Sequence, residues 1–352
     1  MVTSTQRALA RSTIVGYRIA AACIAAVAIL AFSARAHAAL SSEGPCARTD
    51  LSLNENGFLP DAYTVAGWLC RKQEGTKRVL LITAHGATYN HLYWDWPQDP
   101  GVYSFRKNVV SHRVSLLNLD LLGSGGSSHP LSLYVTQAAQ ASMLHQVVLT
   151  MRRRGFKEII LVGHSSGSGA ITLEASTYHD VDGLIVTGML HTGPSSALRL
   201  FTSLPLSFYP AALDPAFAGM NLDAGYETTR PGTRGQPALY NRKVADPRVI
   251  AYDDAHKDVV PAPHALGFAR VFNDSSISRA VNAPVLSLVG AYDGFCGSPS
   301  CPEAADEAAA WSPAAHLELH VIPEAGHDIH LHGQPYAEME YAYVRSWLER
   351  RF

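Results

Sequence analysis

The chain has no block of basic residues, no apolar stretch long enough to cross a bilayer and no Cys-x-x-Cys pair. With 28 lysines and arginines against 30 acids, the first absence argues against a nucleic-acid partner or an anionic membrane surface. The second concerns the apolar run Ile19 to Phe32, whose fourteen residues fall short of the ~20 that a spanning helix needs. The third disfavours a zinc site built from cysteines, which uses such close pairs. There is also no internal repeat, which excludes a solenoid.

What is present begins at the amino terminus. Arg7, Arg11 and Arg18 precede the apolar run, and Ala36-His37-Ala38 follows it. A positive head, a short apolar middle and a small-x-small site predict a secretory signal peptide over residues 1–38. Its removal takes four arginines and no acids, leaving 24 basic against 30 acidic residues and no membrane anchor. Cys23 leaves with it, and the remaining cysteines are Cys46, Cys70, Cys296 and Cys301. An even count behind a signal peptide predicts disulfides and an extracellular or periplasmic location. Proximity favours Cys46–Cys70 and Cys296–Cys301 over the other pairings. The remaining 314 residues suit one large domain, 39–352, with an insertion.

Apolar, β-branched runs alternate with helix-like stretches through that domain. Strands are expected over 78–83, 114–119, 159–162, 183–187, 284–289 and 317–322, with an earlier antiparallel strand within 61–69. Helices are expected over 136–154, 168–178, 301–310 and 336–351. Continuous apolar strands separated by helices predict an α/β fold with a mainly parallel central sheet and helices on both faces. The rhythm breaks between Thr187 and Pro284, a gap far longer than one crossover needs. Its Pro, Tyr, Phe and Leu content predicts a folded cap insertion at about 193–281 over the carboxyl edge of the sheet. Residues 198–209 would be either an apolar roof for substrate or a cap helix buried on the main domain.

The most specific pattern is Gly163-His164-Ser165-Ser166-Gly167, behind the strand and ahead of a helix. Gly-x-Ser-x-Gly in that context holds the serine on a strained turn with its hydroxyl facing a cleft, and larger flanking residues would collide with neighbouring elements. The alternative is an ordinary capping serine at a glycine-rich turn. A serine hydroxyl needs a base to take its proton and an acid to orient that base. Asp293 follows the apolar strand ending at Val289, and His327 follows the one ending at Ile322, so both loops open at the edge that carries Ser165. Oxyanion donors are expected from the backbone N–H of Ser166 and from the loop Ala84-His85-Gly86-Ala87-Thr88, with Ala87 preferred to Thr88.

These residues resemble the α/β-hydrolase family. The His85-Gly86 loop, the turn Asp120-Leu121-Leu122-Gly123-Ser124-Gly125-Gly126-Ser127, the elbow at Ser165 and the Asp293 and His327 loops occur in the family's order, over about residues 60–350. The resemblance implies an α/β-hydrolase fold and hydrolysis of an ester, amide or related acyl bond. The oxyanion loop departs from the His-Gly-Gly-Gly form of many lipases and esterases.

Other polar residues read as structural. Asp120 is expected to cap its turn, Glu174 to be structural or solvent-facing, and Glu324 to shape the His327 loop. Asp328, His330 and His332 are expected to form a polar loop rather than a metal site. Residues 93–97 would either line the pocket or pack. The expectation is a secreted serine hydrolase that cleaves carboxylic esters of a small, apolar acyl substrate through an acyl-enzyme, with neither cofactor nor metal. The competing activity is amide hydrolysis, for which Asp214, Asp223 or Glu227 would receive a substrate amine. The competing class is a catalytically silent binding protein.

Overall fold

The computed structural model describes residues 46–53, 62–72, 78–191, 207–295 and 301–352, so the expected signal peptide, Cys296 and the start of the insertion lie outside the described residues. Residues Cys46–Phe352 form one compact unit. Among the described residues no helix is long and apolar enough to cross a membrane.

The central sheet is built from β1 (Cys46–Arg48), β4 (Gly67–Cys70), β5 (Val79–Ala84), β6 (Val114–Leu119), β7 (Glu158–His164), β8 (Gly183–Thr187), β12 (Val285–Gly290) and β13 (Glu318–Ile322). Their spatial order is β1-β4-β6-β5-β7-β8-β12-β13. Only the pairings of β4 with β1 and β6 are antiparallel; the rest of the ladder is parallel. Strand alternation divides the apolar residues between two faces. Leu80, Ile82, Leu161 and Val186 face a layer made by α3 (Gln137–Arg153) and α4 (Ser166–Tyr178). Leu81, Ile160, Val162 and Leu288 face the short helices α1 (Pro100–Tyr103) and α2 (Phe105–Val109) and the carboxyl-terminal α8 (Tyr336–Arg351). Water reaches neither face, so every residue of β5, β6, β8 and β12 is buried.

Two expectations change. The strand expected within 61–69 is two strands: β3 (Tyr63–Val65) pairs with β2 (Leu51–Leu53), and β4 joins the main sheet. The break is Ala66, whose N–H is held by Ser127 Oγ and whose C=O is held by the Asp120 N–H, leaving neither for a ladder. The helix expected over 301–310 is two 3-10 turns, Pro302–Ala305 and Glu307–Ala310. Cys301, just before them, is disulfide-bonded and left-handed at φ 49°. Its expected partner, Cys296, is outside the described residues. Cys46 and Cys70 are joined across the antiparallel pair β1–β4.

Between β8 and β12 the chain forms a separate three-stranded sheet, β9 (Phe208–Pro210), β10 (Tyr226–Thr229) and β11 (Val260–Pro261), in the order β11-β10-β9. It also forms α5 (Pro247–Ala255), α6 (Ala262–Asn273) and α7 (Ser275–Arg279). Phe268, Val271 and Phe272 of α6 join the apolar cluster of α3 and α4. The inserted segment is thus anchored in the core at its end.

Candidate active site

β7 ends at His164 and α4 begins at Ser166, so Ser165 occupies the turn between them. Its backbone sits at φ 51°, ψ −121°, a region that costs a non-glycine residue about 1–3 kcal/mol. Although Ser165 stands where a helix cap would, its side chain makes no capping hydrogen bond. The Thr136 side chain, by contrast, caps α3 through the Ala139 N–H. The capping-serine alternative therefore fails. The flanking glycines are explained by space: a Cβ on Gly167 would lie 2.4 Å from the Ala84 carbonyl oxygen, and one on Gly163 2.6 Å from Ser168 Cα.

His327 Nδ1 donates to Asp293 Oδ2 at 2.9 Å, and the other Asp293 oxygen accepts the Phe295 N–H at 2.9 Å. Gly290, at the end of β12, is what lets the two loops meet, because a Cβ there would lie 2.1 Å from the Gly326 carbonyl oxygen. The His327 N–H is tied to the Leu239 carbonyl of the inserted segment at 2.9 Å. Burial opposes charge on the His327 imidazole, but the Asp293 charge and hydrogen bond, with Asp328 beyond, outweigh it and raise its pKa.

A second histidine stands beside the first, their ring centres 4.6 Å apart. His164 is fully buried, and burial drives its pKa down to about 4 despite the Asp328 Oδ1 at 3.0 Å. It remains neutral near pH 7, whereas its neighbour's affinity for a proton is raised.

The loop after β5 brings its backbone against the serine. A Cβ on Gly86 would lie 2.9 Å from His164 Cδ2 and 3.2 Å from Ser165 Cβ. The Tyr89 N–H returns to the Gly86 carbonyl at 3.3 Å, which closes the turn around Ala87 and Thr88, with Thr88 at φ 61°. His85 supports the loop from below. Its Nδ1 meets the Gly86 carbonyl at 2.9 Å and its Nε2 accepts the Leu121 N–H at 3.0 Å. Asp120 caps its turn as expected, accepting the Gly126 N–H at 2.8 Å, and also holds the backbone and ring of His91.

Residue patterns did not reveal the buried polar network behind this loop. Asp328, next to His327, bonds His164 on one oxygen and the Tyr89 hydroxyl on the other, the latter at 2.9 Å. The Tyr89 hydroxyl also lies 3.2 Å from Asp253 Oδ2, to which Tyr240 donates. Arg234, from the inserted segment, is almost fully buried; it ion-pairs with Asp253 at 2.8 Å, donates to Thr88 Oγ1 at 2.7 Å and lies 4.0 Å over the Tyr89 ring. Adjacency to His327 could have marked Asp328. Nothing local marks Arg234.

The remaining candidates fall into place. His330 is held between Glu340 and the Tyr93 carbonyl, and His332 between the Asp328 carbonyl and the Gly326 and Asn241 N–H groups, as a polar loop requires. Tyr93, Trp94 and Trp96 pack in the core. Glu324 accepts the Tyr336 hydroxyl. Glu174 is not solvent-facing: it is fully buried, and burial, then Asp180, push its carboxyl up to about 10.

Ala87, Ser165, Ser166 and His327 line one cavity of about 400 Å³, with Asp293 behind the histidine. Its roof comes from the inserted segment, mainly Phe208, Tyr209, Leu266 and Phe268. Residues 198–206 of the expected roof lie outside the described residues. Of the three insertion carboxylates, Asp214 pairs with Lys257 at 2.7 Å and Asp223 accepts the Ser132 and Gly225 N–H groups. Glu227 alone of these lines the cavity, and burial raises its pKa.

Known proteins of similar fold carry hydrolase names. A thermophilic esterase from Thermogutta terrifontis is 20% identical, with a TM-score of 0.61 over 86% of this chain and 98% of that one. Monoglyceride lipase from Saccharomyces cerevisiae is 15% identical, with a TM-score of 0.57 over 89% and 97%. A proline iminopeptidase-related protein from Thermus thermophilus is 16% identical, with a TM-score of 0.56 over 87% and 98%. At these identities the likeness is one of fold. No curated protein matches the chain. The alpha/beta hydrolase family model matches residues 79–339, and the chain belongs to that family.

Proposed function

We propose that this protein is a serine hydrolase that cleaves carboxylic esters through an acyl-enzyme, and that it is exported behind a signal peptide, residues 1–38. The observation that carries the reaction is the uncapped Ser165 on a strained turn, in one cavity wall with His327, whose far nitrogen is bonded to Asp293. In this reading Ser165 Oγ attacks the ester carbonyl while His327 Nε2 takes its proton. The N–H groups of Ala87 and Ser166 stabilise the oxyanion, each contributing about 3–4 kcal/mol. The tetrahedral intermediate collapses as His327 returns the proton to the leaving alcohol. Water then attacks the acyl-serine with the same base, and Asp293 holds the imidazole tautomer throughout. The apolar roof favours an apolar acyl or alcohol group. Export is supported by the disulfide Cys46–Cys70.

A fluorophosphonate probe tests the reaction. Labelling of wild type but not of Ser165→Ala, with loss of p-nitrophenyl ester hydrolysis by at least ~10⁴-fold, is the expected outcome. No labelling of the folded wild type removes the serine mechanism and favours a binding protein. A second reading, hydrolysis of amides bearing a free amine, draws on Glu227 in the cavity wall.

A further inference from the structure

We infer that His145, Glu174 and Asp180 form a binding site for one divalent transition-metal cation at the carboxyl-terminal end of α4. Independent of the proposed reaction, the site ties α4 to α3 and to the turn before β8. One ligand atom from each residue lies within 4.8 Å of the others, close enough for small side-chain adjustments to bring all three onto one ion. Glu174 is fully buried, and no N–H or O–H group of another residue reaches either of its carboxylate oxygens; the group facing it is a second carboxylate, Asp180, whose Oδ1 also lacks a donor. Buried carboxylate oxygens without donors are costly and uncommon, and a cation is what such a set of acceptors satisfies. The residues are also held in place. His145 lies flat on Tyr178 with ring centres 3.9 Å apart, and its Nδ1 meets Asp180 Oδ2 at 2.7 Å.

Arg152, which reaches the same turn, does not fill this role. Arg152 is directed to the Asp182 carboxylate and to the backbone carbonyl of Asp180, not to the Asp180 carboxylate. The side chains of His145 and Asp180 are 24% and 22% exposed, which leaves a route of entry. One imidazole nitrogen with two carboxylates suits zinc, with water as the fourth ligand. Calcium requires six to eight oxygens, more than these residues offer. Glu174 lies about 12 Å along the helix from the start of α4, so the site is structural and separate from Ser165.

The competing occupant is a proton shared between Glu174 and Asp180. The test is a zinc titration of the purified, chelator-stripped protein, followed by calorimetry and by thermal unfolding. One equivalent of zinc should bind and raise the Tm by several degrees, while calcium leaves it unchanged. Glu174→Gln and Asp180→Asn should each weaken zinc binding at least tenfold. Absence of zinc binding or of a Tm rise in folded wild type overturns the site and favours the shared proton. Undiminished binding in both variants also overturns it, because the metal is then held by other residues.

Discussion

At the scale of single residues, two adjacent histidines are separated by their neighbours. Both are buried, yet only His327 has a carboxylate directed at Nδ1 strongly enough to overcome burial. In the proposed reaction His327 must be neutral to accept the serine proton. Because its pKa is raised above 6.5, kcat/KM should rise with pH through an inflection above that value. Asp293→Asn removes the raising charge and leaves burial dominant. The inflection should then fall below 6.5 while the rate drops by about 10⁴-fold, read from a pH–rate profile. Arg234 predicts a different response. Replacing it with Met leaves Asp253 charged or protonated without its cation and should cost about 3–5 kcal/mol in urea unfolding. The same change frees Thr88 from its clamp, so kcat should fall in the protein that remains folded.

At the scale of elements, the β7–α4 turn is a steric solution in which Gly163 and Gly167 make room for a backbone that Ser165 alone distorts. Gly167→Ala places a methyl group on the Ala84 carbonyl, so the folded yield should collapse rather than activity alone. The first edge of the sheet carries a separate constraint. Cys46–Cys70 closes a separation of 24 residues between β1 and β4, worth about 3–4 kcal/mol in the loop-entropy model. The double variant Cys46→Ser with Cys70→Ser should lose that stability in denaturant titration. Its kcat should match wild type, because β4 and β6 stand between that edge and the β5 loop.

At the scale of the whole molecule, the loops of the parallel sheet carry Ser165, Asp293 and His327, and the segment between β8 and β12 roofs the cavity beside them. The roof residues lie near or beyond position 207, over a hundred residues from the loop after β5. Glu227 is the carboxyl group lining that cavity, and its role separates the two substrate readings. If free amines are recognised there, Glu227→Gln should lower kcat/KM for aminoacyl anilides by about 10–100-fold and leave neutral esters within about twofold. Equal small changes for both substrates would remove the amine reading and leave the ester reading intact.

From the residues alone one could read the parallel sheet, the elbow and the chain order of Ser165, Asp293 and His327. Each is written in contiguous apolar runs and turn residues, and short-range sterics govern such patterns. The break at Ala66 was not legible, because hydrogen bonds to residues more than fifty positions away impose it. The Arg234–Asp253–Tyr89–Asp328–His164 network likewise joins residues up to about 240 positions apart, and only the closed fold makes them partners. The carboxylates show the same division. Sequence offered Asp214, Asp223 and Glu227 as equals. Folding paired the first with lysine, tied the second to backbone amides and left the third in the cavity lining, because which counter-group comes within reach of each carboxylate is decided only when distant segments close on one another.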